Sequence, residues 1–125
     1  MTIDVMTQPH KLIASDRIEG TAVRRPQGDT IGHIERLMID KETGKVSYAI
    51  LSFGGFLGIG TNLLPLPWST LTYSTKLDAY VLDIDNEQLQ SAPSFRANLD
   101  FDWGDRSREE QLHRYYGVTP YWGGF

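Results

Sequence analysis

Histidines and carboxylates are the residues of this chain whose types could support catalysis or metal binding. The three histidines, His10, His33 and His113, are far apart in sequence, and no cysteine is present. Glu109 and His113 are four residues apart, which would place two metal ligands on one face of a helix. A structural zinc site normally needs four ligands, so we interpret this spacing as an i,i+4 helix pair. His33 has no nucleophile next to it in sequence that would indicate a catalytic triad.

A second candidate is a calcium loop built from Asp100, Asp102 and Asp105. An EF-hand loop takes oxygen ligands from its first, third and fifth positions and ends with a glutamate. Here Gly104 occupies the fifth position and the closing glutamate is missing. The pattern therefore favours a solvated acidic linker.

A glycine-rich segment at residues 54–60 invites a nucleotide-binding interpretation. Its glycines do not follow G-x-G-x-x-G, and no Gly-Lys-Ser/Thr follows. Its large apolar residues, Phe56, Leu57 and Ile59, would each cost about 1.5–3 kcal/mol if left in water. We expect them either to plug one end of the domain or to contact another surface.

The C-terminal region is aromatic. Leu112, Tyr115 and Tyr116 would share one helix face, and Tyr121 and Trp122 follow the helix. Tyrosine and tryptophan bury a large area while keeping a polar tip. Packing on the chain's own domain is the default interpretation. A tail exchanged with a second subunit is the alternative, because the linker at residues 94–104 gives it reach.

The segments that must position these residues are short β-rich runs separated by turns. Residues 40–44 predict a hairpin turn with Gly44 at the position of positive φ, and a change of apolar parity predicts a β-bulge near Glu35 and Arg36. The strand at residues 46–53 is apolar on both faces and should be central. Six strands are predicted in all, at residues 21–25, 31–40, 46–53, 63–68, 71–73 and 79–84.

Helix signals follow these strands. Asp85 and Gln88 form a capping pattern for one helical turn. Ser107 is predicted as the N-cap of a longer helix, with Glu110 closing a capping box and Gly117 ending the helix.

Bulk composition excludes several classes of protein. The 125 residues contain no cysteine, which removes disulfide scaffolds and thiolate metal sites. A net charge of −4 argues against nucleic acid as the main ligand, and we expect the adjacent Arg24 and Arg25 to lie at a solvated strand end. No apolar run reaches the ~20 residues that span a bilayer, and the N-terminal residues lack a secretory pattern. We therefore expect a cytoplasmic protein without a transmembrane segment.

An ordered set of segments resembles the PRC-barrel family. They are GHIERLMID at residues 32–40, YAILSFGGFLGIG at 48–60, LPWS at 66–69, YVLDI at 80–84, and HRYYG at 113–117 with PYW at 120–122. The family includes the cytoplasmic part of the reaction-centre H subunit, the C-terminal domain of a ribosome maturation factor, and short stand-alone proteins. This chain is similar to the stand-alone kind, since the membrane helix of the H subunit and the preceding domain of the maturation factor are not seen.

The resemblance implies a mainly β fold, a small antiparallel β-barrel of about six strands with a C-terminal helix and aromatic tail. We divide the chain into a flexible segment at residues 1–14, the barrel at 15–92, and the linker, helix and tail at 93–125. The family has no catalytic motif to transfer.

We predict a non-catalytic protein-interaction or adapter module that forms a homodimer or higher homo-oligomer. No catalytic, cofactor-binding or metal-binding residue is assigned. The predicted interaction residues are Phe56, Leu57, Ile59, Trp68, Tyr115, Tyr116, Tyr121 and Trp122.

Three alternatives remain at this point. A barrel that binds a small apolar, quinone-like ligand would need an interior cavity. An RNA-processing or ribosome-assembly adapter is disfavoured by the charge and by the missing companion domain. A hydrolase would need a polar cluster with shifted pKa values in a cleft.

Overall fold

A computed structural model describes residues 11–54, 62–96 and 103–122, with the backbone alone at residues 95–96. Its helices are α1 (Ser15–Ile18), α2 (Asn86–Ser91) and α3 (Arg106–Tyr116), and a 3-10 turn spans Trp68–Thr70. Its strands are β1 (Ala22–Arg24), β2 (Thr30–Ile39), β3 (Val46–Phe53), β4 (Asn62–Pro67), β5 (Thr72–Ser74), β6 (Ala79–Val81) and β7 (Phe95–Arg96). The mainly β prediction is confirmed, and β7 adds a two-residue strand where an extended linker was predicted.

All seven strands belong to one sheet with the order β5-β6-β1-β2-β3-β4-β7. Five of its six strand pairs are antiparallel, but β6 runs parallel to β1, with Val23 opposite Tyr80. An entirely antiparallel sheet was therefore wrong at this pair, because the chain returns beside its own first strand after the β5–β6 hairpin. Within the described residues no ladder joins β5 to β7, so a closed barrel is not confirmed.

The β2–β3 hairpin is the longest pairing in the sheet. The predicted bulge is confirmed, since the register shifts between Ile34 and Arg36. The predicted turn is confirmed as well: Asp40 Oδ1 accepts the backbone N–H of Glu42 at 2.9 Å and of Thr43 at 3.0 Å, and Gly44 has φ +76°. These contacts fix the tip of the β2–β3 hairpin.

β3 is an interior strand of the sheet, as its two apolar faces predicted. It lies between β2 and β4, and its six interior residues are buried. The main core packs around it and is formed by Ile18, Val23, Ile34, Leu51, Leu64, Leu66, Tyr80, Leu82, Ile84, Leu89 and Ala92. Pro65 and Pro67 lie in β4, whose pairing with β7 covers only Asn62 and Leu63, so the prolines occupy edge positions where a missing N–H costs little.

The helix ends follow local rules. Asp85 and Gln88 form the predicted capping box of α2, and Gly117 ends α3 with φ +66°. The N-cap of α3 is Asp105, not Ser107, because Asp105 Oδ1 accepts from both the backbone N–H and the hydroxyl of Ser107. None of the described helices is long and apolar enough to cross a bilayer.

Candidate functional site

α3 lies against the sheet through a face that differs from the predicted one. Leu112 is buried, as expected, but its buried neighbours are Glu109 and His113, whereas Tyr115 is 39% exposed. Two ionisable side chains can occupy this interface only because a partner from the sheet satisfies them. That partner is Tyr48 of β3.

Tyr48 joins both helix side chains through one hydroxyl. The hydroxyl donates to Glu109 Oε1 at 2.8 Å and lies 2.8 Å from His113 Nε2. Tyr48 is 1% exposed and His113 2% exposed. The predicted i,i+4 pair is therefore bridged by a residue 61 positions away from Glu109, and periodicity alone carries no signal for that bridge.

The Tyr48 hydroxyl lies between two possible partners on α3. It has one proton and lies 2.8 Å from both Glu109 Oε1 and His113 Nε2, so its role toward the imidazole depends on the tautomer of His113. Burial and, second, the positive charge of Arg106 lower the pKa of His113, although the nearby backbone of Thr119 opposes this decrease.

The same cluster keeps Tyr48 protonated. Burial, the hydrogen bond to Glu109 and the charge of Glu109 together raise the pKa of Tyr48 far above its ordinary value. A phenolate nucleophile is therefore unfavourable here. In the described part of the chain the His113 side chain contacts the Tyr48 hydroxyl and no other hydroxyl group. The arrangement therefore fits a structural hydrogen bond better than a base–nucleophile pair.

A surface cleft of about 120 Å³ opens beside this cluster. We call it the hairpin–helix cleft, because one side comes from the tip of the β2–β3 hairpin and the other from α3 and its flanking turns. Its lining residues are Met38, Ile39, Asp40, Ser47, Tyr48, Trp103, Glu109 and Tyr121. It therefore combines three aromatic rings with two carboxylate side chains.

The rings pack on one another at defined angles. The Tyr48 ring centroid lies 5.0 Å from that of Trp103, with a tilt of 38°, and 5.7 Å from that of Tyr121, edge to face at 89°. Such geometry matches the preferred arrangements of aromatic pairs. The walls of the cleft are thus held by the domain's own packing.

The tail aromatics remain partly exposed next to the cleft. Tyr121 is 43% exposed and Trp122 37% exposed, and their rings meet edge to face at 5.0 Å. The guanidinium carbon of Arg106 lies 3.9 Å from the Trp122 ring centroid and 5.9 Å from that of Tyr121. A cation over these rings restrains them from the solvent side.

Three other predicted interaction residues are described by the structure, and none of them lines the cleft. Trp68 is partly buried, with its ring 5.4 Å from that of Tyr80. Tyr115 donates its hydroxyl to the backbone carbonyl of Gln88 in α2, and Tyr116 is partly buried between the main core and the cluster of Tyr48 and Leu112. Phe56, Leu57 and Ile59 lie outside the described residues.

A second, larger cleft of about 280 Å³ lies just after the end of β1, next to the start of α2. Arg25 crosses it, donating to Ile84 O at 2.8 Å, Asp29 Oδ2 at 2.6 Å and Asn86 Oδ1 at 2.5 Å. The expectation of a solvated Arg25 was wrong, since its side chain is 16% exposed. Its donors join β1 to the start of α2, which gives the residue a structural role.

Of the three candidate calcium ligands, the structure describes one. Asp100 and Asp102 lie outside the described residues, and Asp105 caps α3. No group of three or more metal-ligating side chains occurs among the residues that the structure describes.

Comparison with known proteins identifies the fold family. The family model described as the PRC-barrel domain matches residues 10–89. No curated protein matches the chain. The matched residues contain the hairpin half of the hairpin–helix cleft, whereas Trp103, Glu109 and Tyr121 lie beyond them.

Proposed function

Because this chain belongs to the PRC-barrel domain family, a general protein-interaction fold, we propose that it is a non-catalytic interaction module that self-associates. The surface we assign to the contact is formed by Tyr121 and Trp122 with the hairpin–helix cleft beside them. Trp68, Tyr115 and Tyr116 do not line this cleft, and Phe56, Leu57 and Ile59 lie outside the described residues. A role of these six residues in the contact stays a prediction.

The exposure of Tyr121 and Trp122 is the observation that carries this proposal. Each leaves more than a third of its surface in solvent, although the ring of Trp122 already packs against His113 at 5.3 Å. Rings fixed in this way lose little conformational freedom when a partner covers them. Tyrosine, tryptophan and arginine are also the residues that most often dominate binding energy at interfaces.

A second copy of the chain is the partner that we favour. A two-fold dimer places the same patch on both subunits, so it needs a surface that is complementary to itself. This surface carries the guanidinium of Arg106 next to a cleft lined by Asp40 and Glu109. It therefore offers both signs of charge and an apolar centre, which supports a contact between copies.

The polar cluster supports a non-catalytic role. A hydrolase would require an accessible base next to a nucleophile, whereas His113 is almost entirely buried and bonds to a protonated tyrosine. The hairpin–helix cleft is also smaller than the roughly 300–1,000 Å³ typical of small-molecule sites. A quinone-like ligand, an RNA-linked adapter role and a cytoplasmic location stay predictions.

Light scattering coupled to gel filtration tests the proposal. We expect wild-type protein to elute as a dimer or larger species at micromolar concentration, and Tyr121→Ser combined with Trp122→Ser to shift it toward monomer. Tyr73→Ser is the matched control, because Tyr73 is equally exposed at 45% but lies on β5. Phe56→Asp with Leu57→Asp examines the glycine-rich segment separately.

Two outcomes would contradict self-association. One is a wild-type protein that stays monomeric as its concentration rises to the millimolar range. The other is a dimer that the tail substitutions and the control weaken equally. Thermal melts of each variant must show a folded domain, since Tyr121 also contacts Tyr48.

A further inference from the structure

We propose that the hairpin–helix cleft binds a lysine or arginine side chain of the protein partner. The inference rests on the proposed interaction function and deepens it by naming the chemistry of the group that the cleft receives. The combination of aromatic walls, carboxylate side chains and small size supports it.

The aromatic surface that a cation can reach comes from Trp103 and Tyr121, because Tyr48 is only 1% exposed. Tyr48, Trp103 and Tyr121 surround the space from three elements: β3, the turn before α3, and the turn after it. A cation within about 6 Å of such a ring is attracted by its electron-rich face. Arg106 shows this chemistry within the chain, since its guanidinium already lies over Trp122 and near Tyr121.

Carboxylate side chains supply the charge. Asp40 lines the cleft from the hairpin tip and is its accessible carboxylate, whereas Glu109 lines it from α3 but is only 4% exposed. The backbone N–H groups of Thr43 and Glu42 lower the pKa of Asp40, so it is ionised at neutral pH. Arg106 partly offsets Glu109, with its Nε 3.9 Å from Glu109 Oε2, whereas both backbone bonds that Asp40 accepts come from uncharged groups.

The small size of the cleft fits a single side chain. Its volume of about 120 Å³ is below the roughly 300–1,000 Å³ that is typical of sites for drug-sized ligands. The apolar lining from Met38 and Ile39 suits the methylene stem behind a charged head.

Titration followed by two-dimensional amide and indole NMR tests the inference with defined probes. N-acetyl-arginine amide and N-acetyl-lysine amide are the cationic ligands, and N-acetyl-citrulline amide is the neutral copy of the arginine ligand. We expect saturable shifts of the Trp103 indole signal with a Kd on the order of millimolar, and binding of citrulline that is weaker by roughly fivefold or more. Trp68, which packs on Tyr80, provides an indole signal that should not move.

Two substitutions and one matched control locate the site. Asp40→Asn keeps an oxygen that can accept the turn N–H groups but removes the charge, and it should weaken arginine binding at least about threefold. Tyr121→Leu removes one wall and should also weaken binding. Asp85→Asn makes the same chemical change at a capping aspartate in the second cleft, and it should leave arginine binding unchanged.

Equal shifts with arginine and citrulline, or unaltered arginine binding by a folded Asp40→Asn variant, would overturn the inference. Light scattering on the same samples separates it from self-association. Arginine binding to the cleft of a monomeric protein would support the cation site and contradict the dimer. In a dimer the second copy supplies the cation, so a dimer whose cleft ignores both cations and whose association is not weakened by Asp40→Asn would contradict the cation site alone.

Discussion

The bridge between Tyr48, Glu109 and His113 makes a sharp prediction about stability. Tyr48→Phe removes one oxygen and keeps the ring, so the packing of Tyr48 against Leu112 is preserved. The change leaves Glu109 Oε1 and His113 Nε2 without their partner inside a buried interface. The helix α3 should then be held less firmly on the sheet.

The magnitude follows from the number of groups left unpaired. A buried polar group that loses its hydrogen bond costs about 1–3 kcal/mol, and two groups are affected. The remaining contact of Glu109 with Arg106 at 3.9 Å offsets a part of this cost. We expect the free energy of unfolding to fall by about 2–4 kcal/mol, which lowers the melting temperature by roughly 8–15 °C for a domain of this size.

Tyr116→Phe is the matched control. Its hydroxyl is also buried but has no hydrogen-bond partner among the described residues, and burial raises the pKa of Tyr116 well above its ordinary value. Removing that hydroxyl should leave stability unchanged or slightly increased. The two variants therefore differ only in whether the deleted oxygen serves other buried groups.

Urea unfolding followed by circular dichroism measures both changes, with the slope m compared among variants. The prediction is contradicted if the free energy of unfolding of Tyr48→Phe lies within about 0.5 kcal/mol of the wild-type value, or if Tyr116→Phe loses as much stability as Tyr48→Phe. Either result would mean that the bridge does not hold α3 on the sheet.

Three further predictions concern the same scaffold. Leu112→Ala should lower the free energy of unfolding in urea by about 2–5 kcal/mol, because Leu112 is the fully buried residue of α3. Gly32→Ala should prevent or strongly impair folding, as judged by circular dichroism, because a Cβ at Gly32 would lie 2.1 Å from the backbone oxygen of Ser52. His113 has a lowered pKa when folded, so its contribution to stability is complete above its ordinary value of 6.5 and is lost as the pH falls through the folded value. His113→Gln should flatten the decline in the melting temperature as the pH falls below 6.5.

Local features of the sequence predicted much of the fold. The bulge between Ile34 and Arg36, the turn that ends at Gly44, the capping box of Asp85 and Gln88, and the helix end at Gly117 were all confirmed. Each depends on side-chain alternation, on positive φ, or on hydrogen bonds between residues a few positions apart. Such signals are contained within a short stretch of chain.

Contacts between residues that are distant in sequence were not predicted. The family resemblance was confirmed by the match over residues 10–89, but it gave no residue roles for the region of α3. Spacing identified Glu109 and His113 as a helix pair without indicating that Tyr48 would join them across 61 and 65 residues. The N-cap of α3 was placed two residues late because Asp105 and Ser107 are both good capping residues, and only backbone geometry separates them.

Periodicity and hydrogen bonding between near neighbours were enough to predict the mainly β class, the interior position of β3 and the turns. Three features came only from the folded chain: the parallel pairing of β6 with β1, the burial of Glu109 and His113 between α3 and the sheet, and the meeting of Asp40 with Trp103 and Tyr121 around one cleft. These features depend on which segments, far apart in sequence, bury their apolar surfaces against one another, and the packing of the whole chain determines that.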